Sequence, residues 1–560
     1  MLKRTLFFQP PHRWSSTKVK FPSLKGGDCR ELSYQRNPNV RNRPLSKILL
    51  NAITIYLSVR HVSFCPPDAL KLNLIVLPVR LEPISSTTIS GEQMFPSPDR
   101  TAHKLSSIPF FLFLVALLWP PQVSAAQSRL PNVTPEMEHA DFWIKKIRDP
   151  ERLILRADEI REMNKRNLNN QDLYLFNVRE QKQSLTRDEM LTLFREDWEG
   201  FARPGGTRYG RNGKPLTLSF WNDIDQKLNK EMIKENHPLH FGLVVKRTDI
   251  RVFPTHDACK VVADEEGFDV FQHSTVSPGS LVGVYHSTND GLWTYVQTLF
   301  VRGWIRTRDL AIARDKKEAL DYDGFDQRLV ATGSFIKIFA DPGGRELAFT
   351  AQMGSSFPWG ASPGQNDKCY ILKIPIRETD GRLTFRMGYV SKSEDVHSGF
   401  LPFNQQNVAR QAFKMLHEPY GWGETDGGRD CSRFIMDLFA TFGIVMPRNS
   451  KYQAMIGEDL GVSEDMRTSE KLHILDQATP LTPLLRLPGH IMLYLGKHQG
   501  RYYAIHSLWS IQTADPTGLV LRKIGRVVVS DLSLGESAPN GSLLERISDV
   551  RSISGKARLP

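Results

Sequence analysis

The spacing of apolar residues changes character three times along the chain. Residues 134–236 carry polar, charge-rich runs at helical spacing, notably 157–166 and 187–201, interrupted at Pro204-Gly205-Gly206. That pattern predicts a helical N-terminal domain over 134–236. From about 240 to 398 the apolar residues fall into short β-rich runs between turn signals, which predicts two small barrels. The first, 240–315, contains Gly242-Leu243-Val244-Val245, Leu281-Val282-Gly283-Val284-Tyr285 and an alternating run from Trp293 to Val296 that follows Asp290-Gly291, a hairpin signal. The second, 327–398, is less regular and runs through Cys369-Tyr370-Ile371-Leu372 to Gly388-Tyr389-Val390. An amphipathic helix over 404–416, a second helix from Cys431 and two strands near His490 and His506 predict a C-terminal α+β domain over 404–525, followed by a tail, 526–560. The fold class expected is therefore α+β and multidomain.

Composition narrows the function classes. At 560 residues, 40% hydrophobic and 24% charged, the chain has ample capacity for several cores. Five cysteines exclude a disulfide-dense scaffold. The net charge of +12 suggests nucleic acid until it is located: the first 93 residues hold 14 Lys/Arg against 5 Asp/Glu, and the body after residue 125 is nearly neutral. No nucleic-acid partner is expected.

Residues 94–125 read as a secretory signal. Arg100 and Lys104 precede twelve apolar or proline residues, 108–119, and then the small-residue site Val123-Ser124-Ala125. The apolar run is shorter than the ~20 residues a membrane span needs. Export is expected, with no stable membrane anchor after cleavage near Ala126. Because a signal belongs at a chain's start, translation from Met94 is the preferred reading, with 1–93 as an extension of doubtful reality; the alternative is a genuine N-terminal extension.

The segment from Tyr420 to Arg433 carries the candidate chemistry. Tyr420-Gly421-Trp422-Gly423-Glu424 and the glycines at 427 and 428 lead into Asp430-Cys431-Ser432-Arg433. Apolar positions Phe434, Ile435, Leu438, Phe439 and Phe442 then recur at helical spacing until Gly443. Cys431 is thus expected at a helix N-terminus, where the dipole lowers a thiol pKa from its usual ~8.5. A base is available in Gly489-His490-Ile491, and a second histidine in Ile505-His506-Ser507. If 496–500 form a five-residue loop with Leu495 opposite Arg501, His490 faces His506 across a hairpin. Ile491, Leu493, Leu495, Tyr503 and Ile505 then form a core face, and the histidines occupy the other face, where the helix N-terminus meets them. In that arrangement His490 takes the proton of Cys431 and His506 orients His490.

These residues, with Arg448-Asn449-Ser450, resemble the NlpC/p60 papain-like cysteine peptidases of bacterial cell walls over roughly 404–525. Gly303-Trp304-Ile305 and Gly388-Tyr389-Val390 are similar to the closing strands of bacterial SH3-like domains, which bind cell-wall material. The resemblance implies an exported, periplasmic or extracellular enzyme with a helical domain, two SH3-like barrels and a papain-like peptidase domain. The implied reaction cleaves the γ-D-glutamyl to diamino-acid bond of peptidoglycan stem peptides. It implies Cys431 as nucleophile, His490 as base and then acid, and His506 as third member. Tyr420 is implied near the active-site mouth, and Asp430 and Ser432 in contact with the substrate amine. No cofactor is implied. Asp430 also reads as an ordinary helix cap.

Two residues depart from the family pattern: Glu424 stands where a glycine is common, and Arg433 where a glycine usually follows Cys-Ser. The first is expected to alter the loop before the nucleophile; the second puts a long cation near the start of the helix, where the dipole disfavours it and where it can crowd a partner. Three other functions stay open on sequence alone: a zinc site from Cys431, His490 and His506, which lacks CxxC or HxxxH spacing; a non-catalytic cell-wall binding protein; and an acyltransferase using the same Cys/His chemistry.

Overall fold

The computed structural model describes residues 129–202, 207–360, 368–515 and 518–554. The expected extension 1–93 and signal segment 94–125 lie outside the described residues.

Four helices begin the described chain: α1 (Ala140–Ile144), α2 (Ala157–Asn169), α3 (Arg187–Asp197) and α4 (Leu218–Lys227). Helix α3 starts on a capping box in which Thr186 and Glu189 satisfy each other's backbone N–H. These helices have no core of their own. Met137, Trp143, Ile144, Ile160 and Met163 enter the core of the C-terminal domain. Met190, Phe194, Phe201, Trp221 and Ile224 instead pack on the first β module. A short amphipathic helix buries one stripe and needs a surface from elsewhere, so periodicity alone does not reveal which module that surface belongs to.

The first β module is a seven-stranded antiparallel sheet: β1 (His240–Val244), β2 (Thr248–Arg251), β3 (Gln272–Val276), β4 (Leu281–Ser287), β5 (Trp293–Gln297), β6 (Arg302–Arg306) and β7 (Leu310–Ile312), ordered β7-β1-β4-β5-β6-β2-β3. Gly291, at φ +69, completes the turn between β4 and β5, as its Asp-Gly signal predicts. Valines 244, 276, 282, 284 and 296 with Ile250 and Ile305 form the core. Trp293 and Trp304 are buried against Met190 and Phe194 of α3.

After α5 (Lys316–Asp323) come β8 (Arg328–Ala331), β9 (Phe335–Phe339), β10 (Leu347–Gln352), β11 (Ser356–Pro358), β12 (Cys369–Arg377), β13 (Leu383–Ser391) and β14 (Val396–Ser398). They form two small sheets around one core that includes Leu329, Ile338, Phe349, Phe357 and Ile374.

The C-terminal domain opens with α6 (Gln405–Lys414), capped by Asn404, and α7 (Cys431–Ala440), capped by Asp430. Gly443 ends the α7 region at φ +74, where a Cβ would meet the Phe400 ring at 2.8 Å. Strand β15 (Glu458–Asp459) and helix α8 (Thr468–Gln477) follow. The sheet is completed by β16 (Pro483–Leu487), β17 (His490–His498), β18 (Arg501–Asp515), β19 (Gly518–Asp531) and β20 (Asp549–Ser552), in the order β15-β20-β16-β17-β18-β19. The segment expected as a tail from 526 is therefore part of the domain: β20 lies between β15 and β16 and buries Val550. Its apolar residues are too few for a periodic signal, and neighbouring strands supply its order. Among the described residues no helix is long and apolar enough to cross a membrane.

Candidate active site

Helix α7 begins at Cys431 because Asp430 provides its N-cap: Oδ1 accepts the Arg433 backbone N–H at 2.8 Å. The helix packs its apolar stripe, Phe434, Ile435 and Leu438, on Ile491, Leu493 and Ile505 of the β17–β18 hairpin, in one core with Cys431. This brings the sulfur to the start of β17, where the backbone N–H groups of Ile491 and Ser432 favour its thiolate form.

His490 opens β17 and its Nε2 lies 2.6 Å from Nδ1 of His506 on β18. Nε2 of His506 lies 2.8 Å from Ser530 Oγ on β19, a partner that sequence reasoning did not single out. His506 is completely buried and His490 half-buried.

The expected register is corrected. The hairpin turns over the two residues Gln499 and Gly500, both at positive φ, so His498 rather than Leu495 sits opposite Arg501. A bulge between Tyr494 and Gly496 then shifts the pairing, and Leu493 faces Ile505. His490 and His506 are consequently diagonal neighbours on one face, within reach of ring-to-ring contact. The expectation of a non-core histidine face also fails. Met492, Tyr494, Ala504 and Leu508, on the face the histidines continue, pack with Leu475 of α8 in a second core. Helices cover this sheet on both sides, which a single hairpin's alternation does not disclose.

Burial sets the ionisation of the site. It pushes the Cys431 thiol up to about 12, with the Asp430 carboxylate adding to the effect and the Ile491 and Ser432 N–H groups opposing it. The expected lowering by the helix terminus is overridden. Burial likewise pushes His490 down to about 3, with Arg546 adding, and His506 well below the usual imidazole range, with His490 adding. Cysteine and both imidazoles rest neutral at pH 7.

Tyr420 lies within electrostatic range of Cys431 and Asp430, and burial keeps its hydroxyl protonated. Its ring joins Phe268, Trp422 and Trp509 in an aromatic cluster with centroids 5.1–6.5 Å apart. Phe268 comes from the first β module, so two modules meet at this cluster. Asp430 and Ser432 are engaged inside the protein. Arg448 holds both Asp430 oxygens, at 2.5 and 3.1 Å, and donates to Ser432 Oγ at 2.7 Å. Ser432 in turn donates to Asp430. Ser507 Oγ, beside His506, donates to the Arg429 carbonyl at 2.6 Å and so ties the histidine strand to the loop before Cys431. Among the described residues no group of three or more His, Cys, Asp or Glu is arranged to hold a metal ion.

The NlpC/P60 family matches residues 417–508, and the SH3 domain of SH3b1 type matches residues 259–306. The chain therefore carries an NlpC/P60 domain near its C-terminal end and an SH3 domain of SH3b1 type ahead of it. Among solved structures, an NlpC/P60 endopeptidase from Photobacterium damselae subsp. piscicida is similar over 75% of this chain and 97% of that one, with 19% identity and a TM-score of 0.60, which is agreement of fold. An NlpC/P60 family protein from Bacillus cereus ATCC 10987 is similar over 50% of this chain and 82% of that one, with 16% identity and a TM-score of 0.35. No curated protein matches the sequence.

Proposed function

We propose that this protein is an exported cysteine peptidase that hydrolyses peptidoglycan stem peptides at the γ-D-glutamyl to diamino-acid bond. The observation that carries the reading is the chain from His490 through His506 to Ser530, together with Cys431, which heads α7 and shares a core with Ile491, the neighbour of His490 on β17. A neutral imidazole has one N–H. If His506 donates from Nε2 to Ser530, its Nδ1 accepts the Nε2–H of His490, and the lone pair on His490 Nδ1 is free to take the thiol proton. The thiolate is then generated as it attacks, since both groups rest neutral.

In the proposed reaction the sulfur bonds to the scissile carbonyl carbon. The Cys431 backbone N–H at the helix head and the Tyr420 hydroxyl supply donors for the oxyanion. Protonated His490 gives its proton to the leaving amine as the C–N bond breaks, leaving a thioester on Cys431. The same imidazole then deprotonates the water that hydrolyses the thioester. The SH3b1 match supports a cell-wall substrate, with the first β module delivering the peptidase to it. The second module is proposed as a further SH3-like unit.

The test is to incubate the protein with defined stem peptides and identify products by mass. Hydrolysis predicts a new γ-D-glutamyl carboxylate and a free diamino-acid amine, both lost in Cys431→Ala. A product extended by an added amine or alcohol would instead establish acyl transfer. Wall binding without turnover by the unaltered protein would establish the non-catalytic alternative.

A further inference from the structure

The two residues that depart from the family pattern are bonded to each other. Glu424 Oε2 accepts from Arg433 Nη1 at 2.9 Å, and both side chains are buried. Glu424 holds a left-handed backbone, φ +68 and ψ +23, a conformation that costs a non-glycine residue energy. Five hydrogen bonds to its carboxylate oppose that strain. Ser274 Oγ and the Thr275 N–H join Arg433 on Oε2, at 2.7 and 2.9 Å. Thr275 Oγ1 and Gln352 Nε2 bond Oε1, at 2.7 and 3.0 Å. Ser274 and Thr275 belong to β3 of the first β module, and Gln352 ends β10 of the second. Burial alone would raise this carboxyl, yet Arg433, Arg448 and Arg247 hold it down at about 2, so it stays charged.

Arg433 continues the connection into the helix. Its Nε donates to Asp437 Oδ1 at 2.6 Å, one turn along α7, and its backbone N–H donates to Asp430. Glu424 thus fixes the loop before the nucleophile, Arg433 fixes the first two turns after it, and Cys431 lies between them.

We propose that Glu424 and Arg433 are a positioning pair that holds Cys431 in register with the histidines, with β3 of the first β module as its external anchor. This rests on the peptidase reading above and adds residues to it. Loss of one member unbalances this buried cluster by one charge, although Asp437 still faces Arg433 and Arg247 still faces Glu424, whereas loss of both removes a cation and an anion together and keeps the balance.

The test compares Glu424→Gln, Arg433→Gln and the double variant in the full chain. Each single substitution is expected to lower kcat by at least about tenfold with KM within about twofold, and the double to recover to within about threefold of the unaltered protein. Two results overturn the proposal: single variants whose kcat falls only in proportion to the fraction unfolded in their melting curves, or a double variant worse than either single. The alkylation rate of Cys431 with iodoacetamide is a second readout. Single variants should change it at least about fivefold and the double should restore it. If the unaltered protein cleaves no stem peptide, the peptidase reading fails and this rate alone decides the pair: the restored pattern supports it and equal rates reject it.

Discussion

Nε2 of His490 stands 2.6 Å from Nδ1 of His506 although the two residues are not directly opposed on their strands. The contact leaves only one ring nitrogen of His490 for other chemistry, and His506 is anchored from behind by Ser530. Replacing His506 by Ala should free the His490 ring to rotate and cost roughly 10²–10⁴ in kcat, the range of a positioned base, with KM little changed. Steady-state kinetics on a defined stem peptide checks this; an unchanged kcat would remove His506 from the mechanism.

The histidine pair should make the fold acid-sensitive. The folded pKa of His490 is near 3 and that of His506 is also depressed, so between about pH 6.5 and 3 the unfolded chain binds protons that the folded chain does not. Stability from these groups is present above the unfolded value and is lost as pH falls through that window. Urea denaturation at pH 7, 5 and 4 should show falling midpoints, and His490→Gln should flatten the decline.

The buried thiol should be sluggish in the free enzyme. With Cys431 pushed up to about 12, its alkylation by iodoacetamide should climb with pH past 9 without levelling off near neutrality. A plateau by pH 7 would indicate a standing thiolate–imidazolium pair instead.

Arg448 joins the loop cap to the first β module: its guanidinium bonds Asp430, Ser432 and Ser274. Substitution by Met strands a buried carboxylate and should destabilise the protein by about 3–5 kcal/mol, measured by urea denaturation. A loss under about 1 kcal/mol would mean that water reaches Asp430.

Local signals made much of the site legible. The apolar spacing after Cys431 and the following Gly443 marked α7, and the Asp-Gly turn marked the β4–β5 hairpin. The histidine face was legible for a less secure reason. The two-residue turn at Gln499-Gly500 alone would have set the histidines on opposite faces, and the bulge near Leu495 restores the parity. A bulge has no strong sequence mark. Long-range matters were not readable: the α1–α4 helices sharing cores with other modules, β20 entering the sheet, the Ser530 contact, and burial outweighing the helix dipole at the thiol. Glu424 and Arg433 were visible as anomalies, but their pairing depends on the strand carrying Ser274 and Thr275, which is 150 and 149 residues from Glu424.

The most direct measurement of the central claim is intact-mass spectrometry of the protein quenched in acid during turnover of a stem peptide. The account predicts a transient adduct with the mass of the acyl fragment, mapped to Cys431, labile to hydroxylamine and lost together with all hydrolysis in Cys431→Ala. Continued cleavage by Cys431→Ala, with no adduct on the unaltered protein, would contradict it.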